Sequence, residues 1–418
     1  MITPFLLPKQ ALIRRPRNAP LPFIALAIGA LVSYLPEFFS GDWRFNLGFL
    51  GWIVPLLGCG FTALLKHRLI SFPLRLWLPW TIWVLLYLLF ASAENALQRS
   101  VMLLTPLVVG TGFSTLHVDA LLIKKFSTWI SSFFWIVISA AGFSTGLLLI
   151  GQFNEVSTFA AGSITASLLA AWYAARYAGG DLRALGYWAM LVVIPVLANT
   201  RTGMVAVALT LPLTFAPLSI KKRWFMLAML ILVGLLVFQS ERVQSKMFFS
   251  GQGTLLDAVS GVGNLFSSEM DTSNDFVTSG RKTVAIALIS RLNENFWFGH
   301  GANTTEAITM SIADLAHPHN DWLRVLFEYG MLGVVLFTLT WLAQIRHARI
   351  RILQLRSSGA AKFIYAGLGS IIPMALFMSS DNILLYVAWF GNLQFAMLGL
   401  GYAAIRTTHR DGLQKSTP

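Results

Sequence analysis

TWISSFFWIVISAAGFSTGLLLI, residues 128–150, carries no charged side chain along its whole length. A helix crossing the hydrocarbon layer of a bilayer needs about twenty mostly apolar residues, and this stretch meets that requirement alone. Eleven others resemble it: Leu21–Phe39, Leu47–Leu65, Leu76–Ser92, Val101–Asp119, Phe159–Tyr177, Leu185–Asn199, Gly203–Ile220, Trp224–Phe238, Leu323–Ile345, Phe363–Ser379 and Ile383–Ile405. The chain therefore reads as an all-α polytopic membrane protein with about twelve transmembrane helices. Its composition agrees. Charged residues are 12% and hydrophobic residues 56%, where a soluble domain carries about a quarter charged residues. The lone Cys59 excludes an intramolecular disulfide and argues against a thiolate metal site.

One long polar interval, Ser240–Trp322, interrupts the apolar pattern. It divides the chain into spans one to nine (1–239), a large, partly helical loop (240–322) and spans ten to twelve (323–418). Lys and Arg placement orients these parts, because cytoplasmic segments retain positive charge. With the N-terminus inside, that side collects Arg14, Arg15 and Arg17, Lys66 and Arg68, Lys124 and Lys125, Lys221 to Arg223, and Arg346 to Arg356, among others. Only Asp119, Asp181 and Asp411 share it. The formal net charge of +13 is thus a topology signal, and no nucleic-acid partner is implied. The first span, preceded by basic residues, reads as a retained signal anchor. Both termini are expected in the cytoplasm and the Ser240–Trp322 loop in the periplasm of a bacterial inner membrane.

Chemistry-bearing residues gather at the outer level. Arg201 sits in Asn199-Thr200-Arg201-Thr202-Gly203 between two apolar runs. It is either a turn arginine reaching head groups or an anion ligand, since a guanidinium binds phosphate through two parallel hydrogen bonds. Arg281, after Ser279-Gly280, opens a segment whose Val284, Ala285, Leu288 and Leu292 share one helical face. That face is expected to lie on the membrane surface, with Arg281 in a first turn whose free N–H groups suit phosphate. Ser279 is equally a simple helix cap. Lys282 and Arg291 read as solvated or head-group contacts. In His317-Pro318-His319-Asn320-Asp321, the proline pushes the next helix start to His319 or beyond. A neutral imidazole there can take a proton from an attacking hydroxyl; a structural histidine pair is the alternative. No second cluster with ligand spacing supports a metal. Asp321, Arg324 and Glu328 fall on one helical face, which has to line a protein interior rather than lipid. Asp381-Asn382 is a further polar pair at the same level. Gln252 to Phe276, rich in Gly, Ser, Asn and Asp, reads as a mobile loop.

Together Thr200–Gly203, Ser279–Arg281, Asn293-Glu294-Asn295-Phe296-Trp297-Phe298-Gly299-His300-Gly301 and His317–Arg324 continuing through Glu328-Tyr329-Gly330-Met331-Leu332-Gly333 resemble the bacterial O-antigen ligase and O-antigen polymerase superfamily. The resemblance covers Arg201 to about Arg346. It implies an inverting transfer of a glycan from undecaprenyl diphosphate to an acceptor hydroxyl, without cofactor, nucleotide sugar or metal. On that expectation His319, Arg201 and Arg281 are catalytic, and Arg201, Arg281, His317, Asn320, Asp321 and Arg324 contact substrate. His300 falls at a variable position and receives no role. Partners would be the lipid-linked donor, a glycan or lipid A-core acceptor and membrane lipids. Glu328-Tyr329 and Ser379-Ser380-Asp381-Asn382 lean towards the polymerases. A transporter of lipid-linked glycans is the competing class, but transporters place their charges near the bilayer midplane, where these spans have almost none. A non-catalytic assembly partner would need neither arginine.

The charge distribution makes the topology testable: alkaline-phosphatase fusions should be active after Gln252 and inactive after Lys222 or Arg356. An active fusion after Lys222 would reverse the orientation.

Overall fold

The computed structural model describes residues 20–34, 48–91, 93–149, 159–264, 277, 281–313, 317–355 and 359–416. Among them the regular structure is helical, without a strand. The order is α1 (Leu21–Tyr34), α2 (Leu50–Leu65), α3 (Leu78–Leu89), α4 (Ala96–Ser114), α5 (Ala120–Leu149), α6 (Phe159–Ala178), α7 (Arg183–Leu197), α8 (Arg201–Leu209) and α9 (Ile220–Phe238). The polar interval contributes α10 (Glu241–Met247), α11 (Leu255–Asn264), α12 (Arg281–Leu292) and α13 (Thr304–Ala313). Then come α14 (Asp321–Ile352), α15 (Ala361–Gly369), α16 (Ile371–Met378) and α17 (Gly391–Ser416).

Each apolar stretch contains helix, but the stretches are not twelve equal rods. Four described segments are long and apolar enough to cross a membrane: Ala96–Ser114, Ala120–Phe143, Asp321–Leu355 and Ala361–Met378. A fifth qualifies if α9 and α10, bent by 80°, count as one. Four more apolar helices are shorter. The centre is built from α4, α6, α15 and α17, where small residues let backbones approach. A Cβ on Gly399 of α17 would strike the Gly110 carbonyl of α4, and one on Gly112 would lie 2.7 Å from Cβ of Cys59 in α2. Such close packing is the usual source of helix association in lipid. By contrast α9 has no buried residue; Trp224, Phe225, Ile231 and Leu236 project from it, as suits a lipid-facing helix.

Two expected spans are helical over only part of their length. The eighth is helical only to Leu209 and then turns. Its freed carbonyls are taken by the Arg223 guanidinium, which donates to Pro212 at 2.8 Å, Ala216 at 3.0 Å and Leu218 at 3.2 Å. The twelfth begins at Gly391, because Ile383–Phe390 forms turns. In those turns Asn382, Ile383, Val387 and Phe390 are all buried. Irregular backbone at membrane depth is tolerable when protein surrounds it. In the expected mobile loop, α11 orders part of the sequence; residues 265–276 lie outside the described ones, as do Ser279 and Gly280.

The break that shapes the site is in α14. Gly330 has φ 70° and ψ 179°, inside what is otherwise a continuous helix. The carbonyls this releases are claimed by a loop: His300 N–H donates to Phe327 at 2.8 Å and Gly301 N–H to Glu328 at 3.0 Å. Trp83 Nε1 donates to Tyr329 at 3.0 Å. In return, Met331 and Leu332 N–H groups donate to Phe296 at 2.9 Å and Trp297 at 3.2 Å. The Phe296–Gly301 motif is thus the splint of a broken helix. Gly299 (φ 75°) is needed for the same fit, since its Cβ would lie 2.5 Å from the Gly330 nitrogen.

The Gly330 conformation is open essentially only to glycine, and its Cβ would collide with the Trp297 carbonyl. Gly330→Ala should cost at least about 1–3 kcal/mol and lower the detergent melting temperature. Gly142→Ala, at a helical site with open space around it, should not.

Candidate functional site

Pro318 keeps His317 out of the helix, and the chain turns at His319 with φ 51°, in the left-handed region. Asn320 then caps α14, its side-chain oxygen accepting from Leu323 N–H at 3.0 Å, so the helix starts where the sequence placed it. The turn aims the His319 ring at the segment after α16. Its Nδ1 lies 3.4 Å from Asp381 Oδ1 and 3.3 Å from the Asn382 side-chain amide. An amide's oxygen and nitrogen exchange by a half-turn, so a proton on Nδ1 can satisfy both neighbours. That tautomer leaves the Nε2 lone pair available. Asp381 is itself fixed: its N–H donates to Phe377 at 2.7 Å, and Oδ1 accepts from Asn382 N–H at 2.8 Å. Asp381 is absent from the residues expected to contact substrate. Its signals in the sequence were the polar Asp381-Asn382 pair at the outer level and the likeness of Ser379–Asn382 to the polymerases.

Behind this turn the expected charged face is interior. Asp321, Arg324 and Glu328 are exposed by 0%, 4% and 3%. Arg324 lies 2.9 Å from Asp321 Oδ1, while Asp321 Oδ2 accepts from Leu384 N–H at 2.6 Å. Glu328 accepts from Thr305 Oγ1 at 2.5 Å. Beyond it, Asn303 donates to Glu306 at 2.7 Å and to the Glu94 carbonyl at 2.6 Å, and Arg99 approaches Glu306 at 3.7 Å. Asp321 and Arg324 therefore face each other, and the Asn320 oxygen is engaged in its cap. His317 is half-buried, two residues from His319.

Basic residues collect on the other side. Arg201 is the first residue of α8, set by Asn199, which is buried with φ 50°. Asn199 Nδ2 donates to the Arg242 carbonyl of α10 at 2.8 Å. Arg201 Nη2 donates to the Val277 carbonyl at 3.0 Å, and Val277 N–H donates to Met247 at 2.9 Å. Arg281 opens α12. Burial, then the like charge of Arg281, hold the Arg201 guanidinium below its ordinary value. An anion would relieve both effects. The residue after Arg201 completes the connection: Ser380 Oγ donates to Thr202 Oγ1 at 2.6 Å, and Ser380 precedes Asp381. The structure thus joins the Arg201 segment, through one hydrogen bond, to the turn that holds His319.

Two expectations change. The apolar face of α12 lies on protein: Val284, Leu288 and Leu292 pack with Phe327 of α14, against Ile308, Leu323 and Leu326. Lys282 is buried at 7% exposure rather than solvated, because it falls on the inward side of that helix. Arg291 is exposed, as expected. His300 is structural, stacked on Phe327 with ring centroids 4.2 Å apart and its Nε2 3.1 Å from the Arg291 carbonyl. Among the described residues no group of three or more His, Cys, Asp or Glu side chains forms a metal cage.

No curated protein matches the chain. A family model does, over residues 185–338, and its description is O-antigen ligase. The matched stretch runs from α7 into α14 and includes Arg201, Arg281, the Phe296–Gly301 splint and His319; Asp381 lies beyond it. Residues 185–338 thus carry a domain of the O-antigen ligase family, within the O-antigen ligase and polymerase superfamily.

Proposed function

We propose that this protein is an inner-membrane inverting glycosyltransferase that moves a glycan from undecaprenyl diphosphate to an acceptor hydroxyl on the periplasmic face. The observation that carries the reading is the His319–Asp381 pair, joined through Ser380–Thr202 to the segment bearing Arg201. With its Nδ1 side held by Asp381, His319 presents Nε2 to the acceptor. The acceptor oxygen attacks the anomeric carbon as its proton passes to Nε2. The bond from that carbon to the phosphate oxygen breaks, and its electron pair leaves with the diphosphate. Attack opposite the leaving group inverts the anomeric centre. Arg201 and Arg281 hold the diphosphate, helped by the free N–H groups at the start of α12. Asp321 and Arg324 position the His319 turn from behind, and Asn320 caps the helix after it. No metal takes part in this scheme.

The acceptor we propose is a second lipid-linked repeat unit, which makes the enzyme a polymerase of O-antigen or exopolysaccharide. The description of the matched family favours a second reading, in which the acceptor is lipid A-core. Reconstitution with undecaprenyl-diphosphate-linked repeats, offered each acceptor separately, distinguishes them by product: a lengthened lipid-linked glycan or a glycosylated core.

Losing a positioned general base costs about 10²–10⁴-fold in rate. His319→Ala should therefore abolish most transfer while lipid-linked donor still binds, and His317→Ala should be milder. Wild-type transfer at full rate in His319→Ala would remove the base assignment, and loss of activity on chelation would return both histidines to consideration as metal ligands. Arg201→Lys should fail nearly as badly as Arg201→Ala, because a point charge lacks the planar fork. Turnover is compared at equal membrane levels of each variant; a fully active Arg201→Ala would exclude that residue.

A further inference from the structure

Arg201 and Arg281 have company that the sequence motifs do not include. Arg242 and Lys246 lie four residues apart on α10, so they share a face. Both are exposed. The helix carrying them is docked against the Arg201 segment at two points: Asn199 Nδ2 holds the Arg242 carbonyl, and Met247 holds Val277, whose own carbonyl receives Arg201. Gln244, buried between these residues, fixes α10 further by donating to Phe238 at 2.9 Å and accepting from Gly253 N–H at 2.8 Å. Partial desolvation, then the like charges of Arg201, Arg242 and Arg281, hold the Lys246 ammonium below its ordinary value. Like charges at this spacing on a helix are destabilising by themselves. An ordered arrangement of four cations is favourable once a polyanion sits among them.

The reaction proposed above fixes how much charge that anion carries, and the inference rests on that reading. A diphosphate esterified at both ends, to lipid and to sugar, has two negative charges. When the sugar leaves, the freed terminal phosphate gains another, its second ionisation lying at about pH 6. Two arginines balance the donor; the product needs more. We propose that Lys246 is a catalytic cation that contacts the departing diphosphate and stabilises the charge created as the glycosidic bond breaks. A compact ammonium with rotatable donors suits a terminal phosphate that changes charge and position. The role is differential: Lys246 acts more strongly on the transition state and the released lipid diphosphate than on the bound donor.

The test uses the full-length protein in nanodiscs, with Lys246→Met, Lys246→Ala and Lys246→Arg compared at equal folded amounts. Glycan transfer from undecaprenyl-diphosphate donor should show kcat reduced about tenfold or more in Met and Ala, with donor KM nearly unchanged and Arg partly restoring the rate. Inhibition by undecaprenyl diphosphate, and binding of inorganic pyrophosphate by calorimetry, should weaken in parallel. Unchanged kcat and unchanged product inhibition in an active preparation would overturn the role of Lys246 while leaving the glycosyltransferase reading standing. If wild type transfers no glycan, that reading fails, and pyrophosphate binding decides the site alone: Lys246-dependent binding supports it, Lys246-independent binding overturns it. Nanodiscs with and without anionic phospholipid separate the remaining phosphate source. A Lys246 effect confined to anionic lipid would assign the lysine to head groups and overturn the proposal.

Discussion

The carboxylate of Asp321 is the joint on which the site depends. It is fully buried, and one oxygen faces the Arg324 guanidinium while the other accepts the N–H of Leu384. The first contact lies within α14; the second reaches a turn more than sixty residues further along. Because Asp321 follows His319-Asn320 and Leu384 follows Asp381-Asn382, fixing one pair of atoms fixes the histidine and its carboxylate partner together. A buried ion pair contributes little net stability against an apolar substitute, but removing one member is costly, about 3–5 kcal/mol. The arrangement therefore enforces a geometry more than it stabilises the fold.

A second constraint is that backbone polar groups within a membrane protein need partners. This chain interrupts its helices repeatedly and satisfies each interruption differently. Gly330 opens α14, and the Phe296–Gly301 loop closes the gap with main-chain hydrogen bonds in both directions. Beyond α8, one arginine, Arg223, serves three carbonyls. After α16, burial of the Asn382–Phe390 turns removes them from lipid. The interruption at α14 sets the angle of the short arm bearing Asp321 and Arg324, and with it the approach of His319 to Asp381.

Charge is sorted by sign around this frame. The buried acidic side chains are paired or hydrogen-bonded, Asp321 with Arg324 and Glu328 with Thr305, and half-buried Glu306 accepts from Asn303. The basic groups of α8, α10 and α12 instead gather where Arg201 already feels Arg281 and Lys246 feels both. Separating the proposed base from the proposed diphosphate-holding cluster, with one hydrogen bond between their segments, suits a displacement in which base and leaving group stand on opposite sides of the reacting carbon.

The sequence alone determined what depends on neighbours along the chain. Apolar run length marked the helices, Pro318 put the start of α14 at His319 or beyond, and the spacing of Asp321, Arg324 and Glu328 required an interior face. Tertiary structure decided what depends on distant segments. Nothing near His319 in sequence names Asp381 as its partner, and nothing near Arg201 names Lys246. The face of α12 has the periodicity of a surface helix, and packing with Phe327, Leu323 and Leu326 of α14 and Ile308 of α13 turns it onto protein. Gly330 sits in a run whose hydropathy reads as uninterrupted helix; its break exists because a separate loop supplies the donors and acceptors the helix gives up. Periodicity records which way a side chain points from its own helix, whereas what it meets there is set by long-range packing, which no local window contains.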